Sequence, residues 1–213
     1  MDAARIAELL QPFLTAPAQL SAAQLNNIST YIDILLRWNA RINLTAVRDP
    51  EQIVTRHFGE SLFAARHLFP ADDGRPTTDN CVDVGSGAGF PGLPLKLWAP
   101  AIHLTLVESN HKKATFLREV VRSLTLTNVN VFAGRAADFP AAAQVVTLRA
   151  VERFETALST ATRLLAPGGR LALLIGQAQV NRAQELAPEL DWSSTALIPL
   201  SSTRVLLIGT SRT

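Results

Sequence analysis

The sequence predicts an α/β protein, a doubly wound and mostly parallel sheet with an antiparallel C-terminal hairpin strand, preceded by a helical N-terminal region. Two observations lead to this fold class. From residue 80 onward, short apolar runs alternate with segments of helical periodicity, whereas the first seventy residues show helical periodicity alone. A glycine-rich loop also follows the first apolar run directly. With 213 residues, 47% of them hydrophobic, the chain can form one large core and an added subdomain.

Residues 1–70 are predicted to form the helical region. Ser21 and Gln24 have the spacing of a capping box. Asp49 and Pro50 suit the cap and first position of another helix. Residues 70–80 are polar and rich in turn-forming residues, which predicts a linker between the helical region and a second unit at 80–213. Apolar residues at helical spacing follow the first cap: Leu25, Ile28, Ile32, Leu35, Leu36 and Trp38.

In the second unit, predicted strands and helices alternate along the chain. The segment ALIPLSSTRVLLIG predicts a closing hairpin that turns at Ser201 and Ser202, and APGG at 166–169 predicts a turn into the strand before it. Predicted strands occupy 81–84, 102–107, 130–133, 144–148 and 171–175, with helices at 92–98, 111–123 and 154–165.

Composition limits the class of protein. No apolar run approaches the roughly 18 residues of a membrane span. Asp2 and Glu8 are unlike the start of a signal peptide, so we expect a cytoplasmic protein without membrane contact. The single cysteine, Cys81, excludes an internal disulfide or a cysteine-based zinc site, and we expect no metal. A net charge of +2 only mildly favours an anionic partner.

The loop VDVGSGAGFPGLPL, residues 82–95, predicts a ligand site. In an open α/β sheet the ligand lies beyond the carboxyl ends of the strands, and a glycine turn after the first strand allows close approach to the main chain. Gly87, Gly89 and Gly92 satisfy the G-x-G-x-x-G pattern of dinucleotide enzymes, with Glu108 about 20 residues further on. A dinucleotide is therefore one candidate ligand.

The register of the loop favours a ligand without phosphates. The strand runs directly into Gly85, and counting from there Phe90 occupies the third glycine position of the fingerprint. Pro91, early in the next helix, removes one of the N–H groups that a pyrophosphate would need.

The pattern resembles that of class I methyltransferases, in which D-x-G-x-G-x-G ends the first strand, an acid ends the second and P-G-G precedes the fifth. Pro167 to Gly169 and Glu108 match the last two features. The resemblance implies S-adenosylmethionine as cofactor, S-adenosylhomocysteine as product and no metal. It places the glycine turn under the methionine portion, the ribose hydroxyls on Glu108 and adenine near Arg135. The cofactor residues that it implies are Asp83, Gly85, Gly87, Gly89, Phe90, Glu108, Ala136, Ala137 and Arg149.

Plainer explanations exist for the same residues. Glycines after a strand also form packing turns, and an acid ahead of a helix is often its cap. For Asp83 a role in the site is favoured, because an acid within an apolar strand is costly unless something pairs with it.

Two longer stretches, RWNARINLTAVRDPEQIVTRHFGES and DVGSGAGFPGLPL, narrow the family. They resemble the bacterial small-subunit ribosomal RNA guanine-N7 methyltransferases, also called glucose-inhibited division protein B, over roughly residues 35–204. The resemblance implies methyl transfer from S-adenosylmethionine to a guanine N7 in 16S ribosomal RNA, with the RNA or small subunit as partner and a monomeric enzyme. Two departures are Ile175, where the family usually has lysine, and Glu60, where it usually has aspartate.

Methyl transfer to N7 requires no general base and no metal, since N7 carries a free lone pair at neutral pH; catalysis by positioning remains. The candidates for positioning the substrate are Asn39, Arg56 and His57, with turn holding as the alternative for Asn39 and a structural role for His57. Arg149 is assigned to the methionine carboxylate, with a phosphate or an ordinary surface salt bridge as alternatives.

The same resemblance suggests an RNA-binding surface, although interspersed acids could equally make it a solvated face. Another methyl acceptor, or an RNA-binding assembly factor without activity, remains an alternative function. The basic residues concerned are Arg37, Arg41, Arg48, Arg56, Arg66, Lys112, Lys113 and Arg118.

Overall fold

The computed structural model describes residues 1–14, 19–70, 78–151 and 153–212. Its α-helices are α1 Ala3–Leu10, α2 Ala22–Asn39, α3 Pro50–Ile53, α4 Glu60–Leu68, α5 Gly92–Trp98, α6 His111–Ser123, α7 Phe154–Arg163 and α8 Val180–Leu186. Its strands are β1 Asn80–Val84, β2 His103–Val107, β3 Val129–Phe132, β4 Ala143–Arg149, β5 Leu165–Gly176, β6 Leu190–Trp192, β7 Ala196–Leu197 and β8 Arg204–Ser211.

The strands form one sheet in the order β3-β2-β1-β4-β5-β8-β6, with β7 paired to β8. Strands β1 to β5 are parallel, and β8 runs antiparallel between β5 and β6. The predicted doubly wound sheet and antiparallel closing strand are thus confirmed. Because the strand order reverses between β1 and β4, the crevice expected for a ligand lies beyond the carboxyl ends of these two neighbours.

The N-terminal caps form as the sequence predicts. The Ser21 hydroxyl accepts from the Gln24 N–H at 3.3 Å, and the Gln24 side chain accepts from the Ser21 N–H at 2.7 Å. Asp49 caps α3 by accepting from the Gln52 N–H at 2.9 Å. Gln24 also donates to the Leu97 carbonyl at 2.6 Å, which ties the start of α2 to α5 beside the sheet.

Between α3 and α4 the chain widens into a π-helix over Val54–Gly59, where the sequence predicts ordinary helix. Gly59 permits close packing here, because a Cβ at that position would lie 2.5 Å from the ring of Phe13. The wide turn carries His57 and leads directly into Glu60 at the start of α4. π-helical turns are frequent at functional sites.

The helical region and one face of the sheet share a single hydrophobic core. Tyr31 of α2 stacks on Phe90 of the glycine loop with ring centroids 5.4 Å apart, and Phe58 packs edge-on against both rings. The Tyr31 hydroxyl donates to the Ala88 carbonyl in the same loop. The N-terminal helices therefore support the glycine loop from one side. Most of the linker predicted at residues 70–80 lies outside the described residues.

The main differences from the predicted elements lie near β5 and the C-terminus. β5 begins at Leu165, six residues before the predicted start, and its pairing with β4 shifts register between Ala143 and Val145. The predicted turn thus lies within the irregular start of β5, where Gly168 has a φ of +69°. Helix α8 and strand β6 were not predicted from the sequence. Within the described ranges, no helix is long and apolar enough to cross a bilayer.

Candidate cofactor and substrate site

A cleft of about 550 Å³ opens at the switch point of the sheet. Its wall is formed by the glycine loop, the segments that follow β2 and β4, the start of α6 and part of the helical region. Its lining residues are Leu44, Thr45, His57, Gly85, Ser86, Gly87, Ala88, Phe90, Glu108, Ser109, Asn110, Lys113, Arg149, Ala150 and Val151.

The glycines of the loop divide into two kinds. Gly85 and Gly87 adopt left-handed φ values of +68° and +53° and line the cleft. A Cβ at Gly87 would meet nothing closer than 3.8 Å, so a side chain there would fill cleft space. Gly89, at φ +87°, is different, because a Cβ there would collide with the Tyr31 hydroxyl and with Leu93. Gly85 and Gly87 leave main chain open to a ligand, while Gly89 permits packing.

Asp83 lies beneath the loop and is not among the cleft-lining residues. Its carboxylate accepts from the Thr147 hydroxyl at 2.7 Å and from the Gly92 N–H at 3.3 Å, and it is 1% exposed. Burial raises the pKa of Asp83 to about 6, against the opposing effect of these hydrogen bonds. The carboxylate thus occupies an N–H at the start of α5 that a pyrophosphate would otherwise use.

Glu108 lines the cleft in a fixed orientation. One carboxylate oxygen accepts from the Gly87 N–H at 2.9 Å and the other from the Asn110 N–H at 2.7 Å. Each oxygen has a second lone pair that could accept a ribose hydroxyl. Glu108 is not the cap of α6, because Asn110 takes that role by accepting from the N–H groups of residues 112 and 113.

Arg149 is buried, with its side chain 9% exposed, so it does not form an ordinary surface salt bridge. Its Nη2 donates to the Arg56 carbonyl at 2.7 Å and to Glu60 Oε2 at 2.9 Å, and lies 3.2 Å from His57 Nδ1. The buried Nε forms no hydrogen bond to the described residues. Because Arg149 also lines the cleft, its cationic group suits an anionic ligand there.

His57 lines the cleft as a neutral ring. Burial, and then the charge of Arg149, lower the pKa of His57 to about 3. Because a guanidinium can only donate, the Nδ1 beside it is the unprotonated ring nitrogen and shares one of the two Nη2 hydrogens with the other acceptors, and Nε2–H donates to the Thr45 hydroxyl at 2.8 Å. The ring packs against Phe90 with centroids 4.8 Å apart.

The other two candidates for positioning the substrate, Asn39 and Arg56, do not line the cleft as His57 does. The Asn39 side chain accepts from the N–H groups of Leu44 and Thr45 and donates to the Thr45 carbonyl, all within 3.0 Å. This geometry favours the turn-holding alternative, and Asn39 reaches the cleft only through Leu44 and Thr45. Arg56 is exposed, and its carbonyl, not its guanidinium, contacts Arg149.

Ala136 and Ala137 do not line the glycine-loop cleft. They form a 3₁₀ turn after β3 and line a separate cavity of about 220 Å³ together with Phe139 and Thr160. The Gly134 N–H donates to the Glu108 carbonyl at 3.1 Å, which holds the preceding loop against the end of β2. The assignment of Ala136 and Ala137 to adenine binding stays a prediction.

Glu60 and Thr45 contribute to the arrangement around Arg149 and His57, although no role for them was predicted from the sequence. Glu60 is 4% exposed, but the polar neighbours His57 and Ser61 make the segment an ordinary one, so nothing in the sequence predicts its burial. Among the described residues, no group of three or more histidine, cysteine, aspartate or glutamate side chains could hold a metal ion. Of the proposed basic surface, Arg37 pairs with Glu119 and Lys113 lines the cleft.

A family model described as rRNA small subunit methyltransferase G matches residues 24–203. The chain belongs to this family. A relative named ribosomal RNA small subunit methyltransferase G from Xanthomonas campestris pv. campestris (strain B100) is 41% identical over 148 residues, which cover 68% of this chain and 66% of that protein. The relative of the same name from Stenotrophomonas maltophilia (strain K279a) is 39% identical over 184 residues, covering 85% and 82%.

Solved structures support the fold of the chain. The structure of M. jannaschii TYW2 in complex with AdoMet superposes with a TM-score of 0.57 at 15% identity, covering 82% of this chain and 80% of that one. The expected class I methyltransferase fold and the family resemblance are both confirmed.

Proposed function

We propose that this methyltransferase G family member transfers a methyl group from S-adenosylmethionine to N7 of a guanine in 16S ribosomal RNA. The observation that carries the proposal is the cleft at the switch point, where open left-handed glycines lie beside an oriented carboxylate, Glu108, and a buried guanidinium, Arg149. Family membership supports the RNA substrate.

The residues present fit the cofactor. The main chain at Gly85 and Gly87 would lie against the methionine portion, Glu108 would accept the ribose hydroxyls, and Arg149 would hold the methionine carboxylate. S-adenosylmethionine supplies a methyl group on a positively charged sulfur. A dinucleotide fits less well, because the first N–H of α5 already donates to Asp83.

The site supports catalysis by positioning. Guanine N7 has a free lone pair, so the protein removes no proton, and the neutral His57 need not act as a base. His57 and Phe90 present aromatic surface within the cleft, which suits stacking with a purine. We assign to these residues, with the exposed Arg56 nearby, the task of orienting the acceptor.

The proposed RNA-binding surface includes Arg56 and Lys112, which are next in sequence to the cleft-lining His57 and Lys113. Duplex RNA hides N7 in a deep and narrow groove, so the target guanine must be unpaired or turned out. Exposed basic side chains could then hold the flanking phosphates: Arg41, Arg48, Arg56 and Lys112. Action on ribosomal RNA would place the enzyme in the cytoplasm, and we propose that it acts as a monomer.

The test is to map N7-methylguanosine in 16S ribosomal RNA from cells with and without this gene. We expect one methylated guanine to disappear in the deletion strain, to return with the wild-type gene and to stay absent with Arg149→Met. An unchanged methylation map would contradict the RNA substrate.

Transfer of labelled methyl groups in vitro separates the alternatives. Label in ribosomal RNA or in small subunits supports the proposal, whereas label in another acceptor contradicts it. Tight RNA binding without transfer would indicate an assembly factor; Ile175, where a family lysine is usual, is buried and supplies no cation.

A further inference from the structure

Glu60 joins three distant parts of the chain through one carboxylate oxygen. Its Oε2 accepts from Arg149 Nη2 at 2.9 Å and from Arg204 Nε at 3.0 Å. Glu60 begins α4, Arg149 ends β4 and Arg204 begins β8. Glu60 therefore links the helical region to the carboxyl end of β4, which borders the cleft.

Because this cluster is largely buried, the Glu60 carboxylate is needed to compensate the charges of the two arginines. The side chains of Glu60, Arg149 and Arg204 are 6%, 9% and 27% exposed. Two guanidinium groups so close together repel each other, and neither can lose its proton at neutral pH. Removing the negative charge would leave two uncompensated cations in a poorly hydrated place, so both guanidinium groups would lose the partner that holds them together.

The contacts of Arg149 show what the loss of this partner would change. Its Nη2 faces Glu60, His57 and the Arg56 carbonyl, while its Nε has no partner among the described residues. Of these three acceptors only Glu60 is charged, and hydrogen bonds to charged groups are about twice as strong as neutral ones. Glu60 thus dominates the orientation of a guanidinium that lines the cleft.

We infer that Glu60 is the positioning residue that holds Arg149 in the orientation required for cofactor binding, without itself touching the cofactor. The inference deepens the proposed function and rests on its assignment of Arg149 to the methionine carboxylate. Glu60 is not among the cleft-lining residues, which agrees with an effect exerted through Arg149.

The test is calorimetry of S-adenosylhomocysteine binding to the full-length wild type and to Glu60→Gln, which removes the charge at nearly constant volume. We expect affinity to fall about tenfold in the variant, the size of loss seen when a supporting group of a binding residue is removed. Glu155→Gln is the matched control, because Glu155 pairs with Arg182 on the surface and its side chain is 61% exposed. Its affinity should equal that of the wild type.

A double-mutant cycle distinguishes positioning from general destabilisation. In an Arg149→Met background, Glu60→Gln should cause no further loss of affinity, because the group that it positions is gone. Glu60→Asp keeps the charge and should bind more tightly than Glu60→Gln; it also serves if Glu60→Gln does not fold.

The inference is overturned if Glu60→Gln binds as the wild type does, or if its loss is equally large in the Arg149→Met background. Equal affinities of the Asp and Gln variants would also contradict it. If instead the proposed function is wrong, the wild type itself will not bind S-adenosylhomocysteine, and this result differs from every outcome above.

Discussion

At the scale of single residues, the site depends on buried polar groups that are held by specific partners. Asp83, Glu108 and Asn39 each use their side-chain oxygens to accept main-chain N–H groups, and so fix the loops around the cleft. Satisfied in this way, buried polar groups rigidify a site, whereas an unpaired one costs stability. Two of the residues near the cleft, His57 and Asp83, have shifted pKa values that can be measured.

The first prediction concerns the protonation of His57. With a pKa of about 3, we expect a neutral ring with the proton on Nε2 from pH 5 to pH 8. Nitrogen-15 NMR of the imidazole groups measures this directly, and a His57→Gln variant assigns the resonance among the four histidines. A resonance that titrates between pH 6 and pH 7 would show that Arg149 does not donate to Nδ1.

The second prediction concerns the burial of Asp83. Its folded pKa of about 6 lies above the unfolded value of 3.8, so it contributes stability at low pH that is lost as the pH rises through 6. Relative to Asp83→Asn, the wild type should therefore gain about 2 kcal/mol of unfolding free energy between pH 7.5 and pH 4.5.

Urea denaturation of both proteins at several pH values provides the measurement. The difference between them isolates Asp83, because His57, whose pKa shift acts in the opposite direction, is present in both. A difference that does not change with pH would mean that Asp83 is not held in a desolvated environment.

At the scale of elements, the sequence predicted regular structure well and irregular structure poorly. Four of the five predicted strands begin and end within about one residue of the observed ones, because buried parallel strands give continuous apolar runs between turn signals. The π-helix at Val54–Gly59 gave no periodicity of its own, since one wide turn hardly alters an apolar pattern. The roles of Glu60 and Thr45 depend on that turn, so sequence alone could not assign them.

The third prediction concerns the packing of the π-helix. Gly59→Ala would place a methyl group 2.5 Å from the ring of Phe13, which is buried and has little room to move. We expect a loss of about 1 to 3 kcal/mol in unfolding free energy, measured by urea denaturation. Phe13→Leu should relieve part of that loss in the double variant. Additive effects of the two substitutions would contradict the direct contact.

At the scale of the whole molecule, the cleft exists because two regions of the chain share one core. The glycine motif and the acid after β2 could be predicted as site residues, since they follow their strands directly. His57 was proposed for the site only through the family resemblance, and the contributions of Thr45 and Glu60 could not be predicted, because they require the helical region to pack against the carboxyl ends of the strands. That packing includes contacts between Tyr31 and the glycine loop.

The fourth prediction follows from the shared core. The helical region and the sheet should unfold together in one transition. The tryptophans report on separate elements, Trp38 on α2, Trp98 on α5 and Trp192 on β6. Single-tryptophan variants should give the same urea midpoint by fluorescence as the whole protein gives by circular dichroism. An earlier midpoint for Trp38 would show that the helical region unfolds independently.

The central claim is that the open main chain at Gly85 and Gly87 receives a sulfonium donor and not a dinucleotide. Isothermal titration calorimetry of the purified protein with S-adenosylhomocysteine, and separately with NADH, tests it most directly. We predict that one equivalent of S-adenosylhomocysteine binds and that Glu108→Gln weakens this binding, while NADH gives no saturable heat. Saturable binding of NADH together with no response to S-adenosylhomocysteine would contradict the claim.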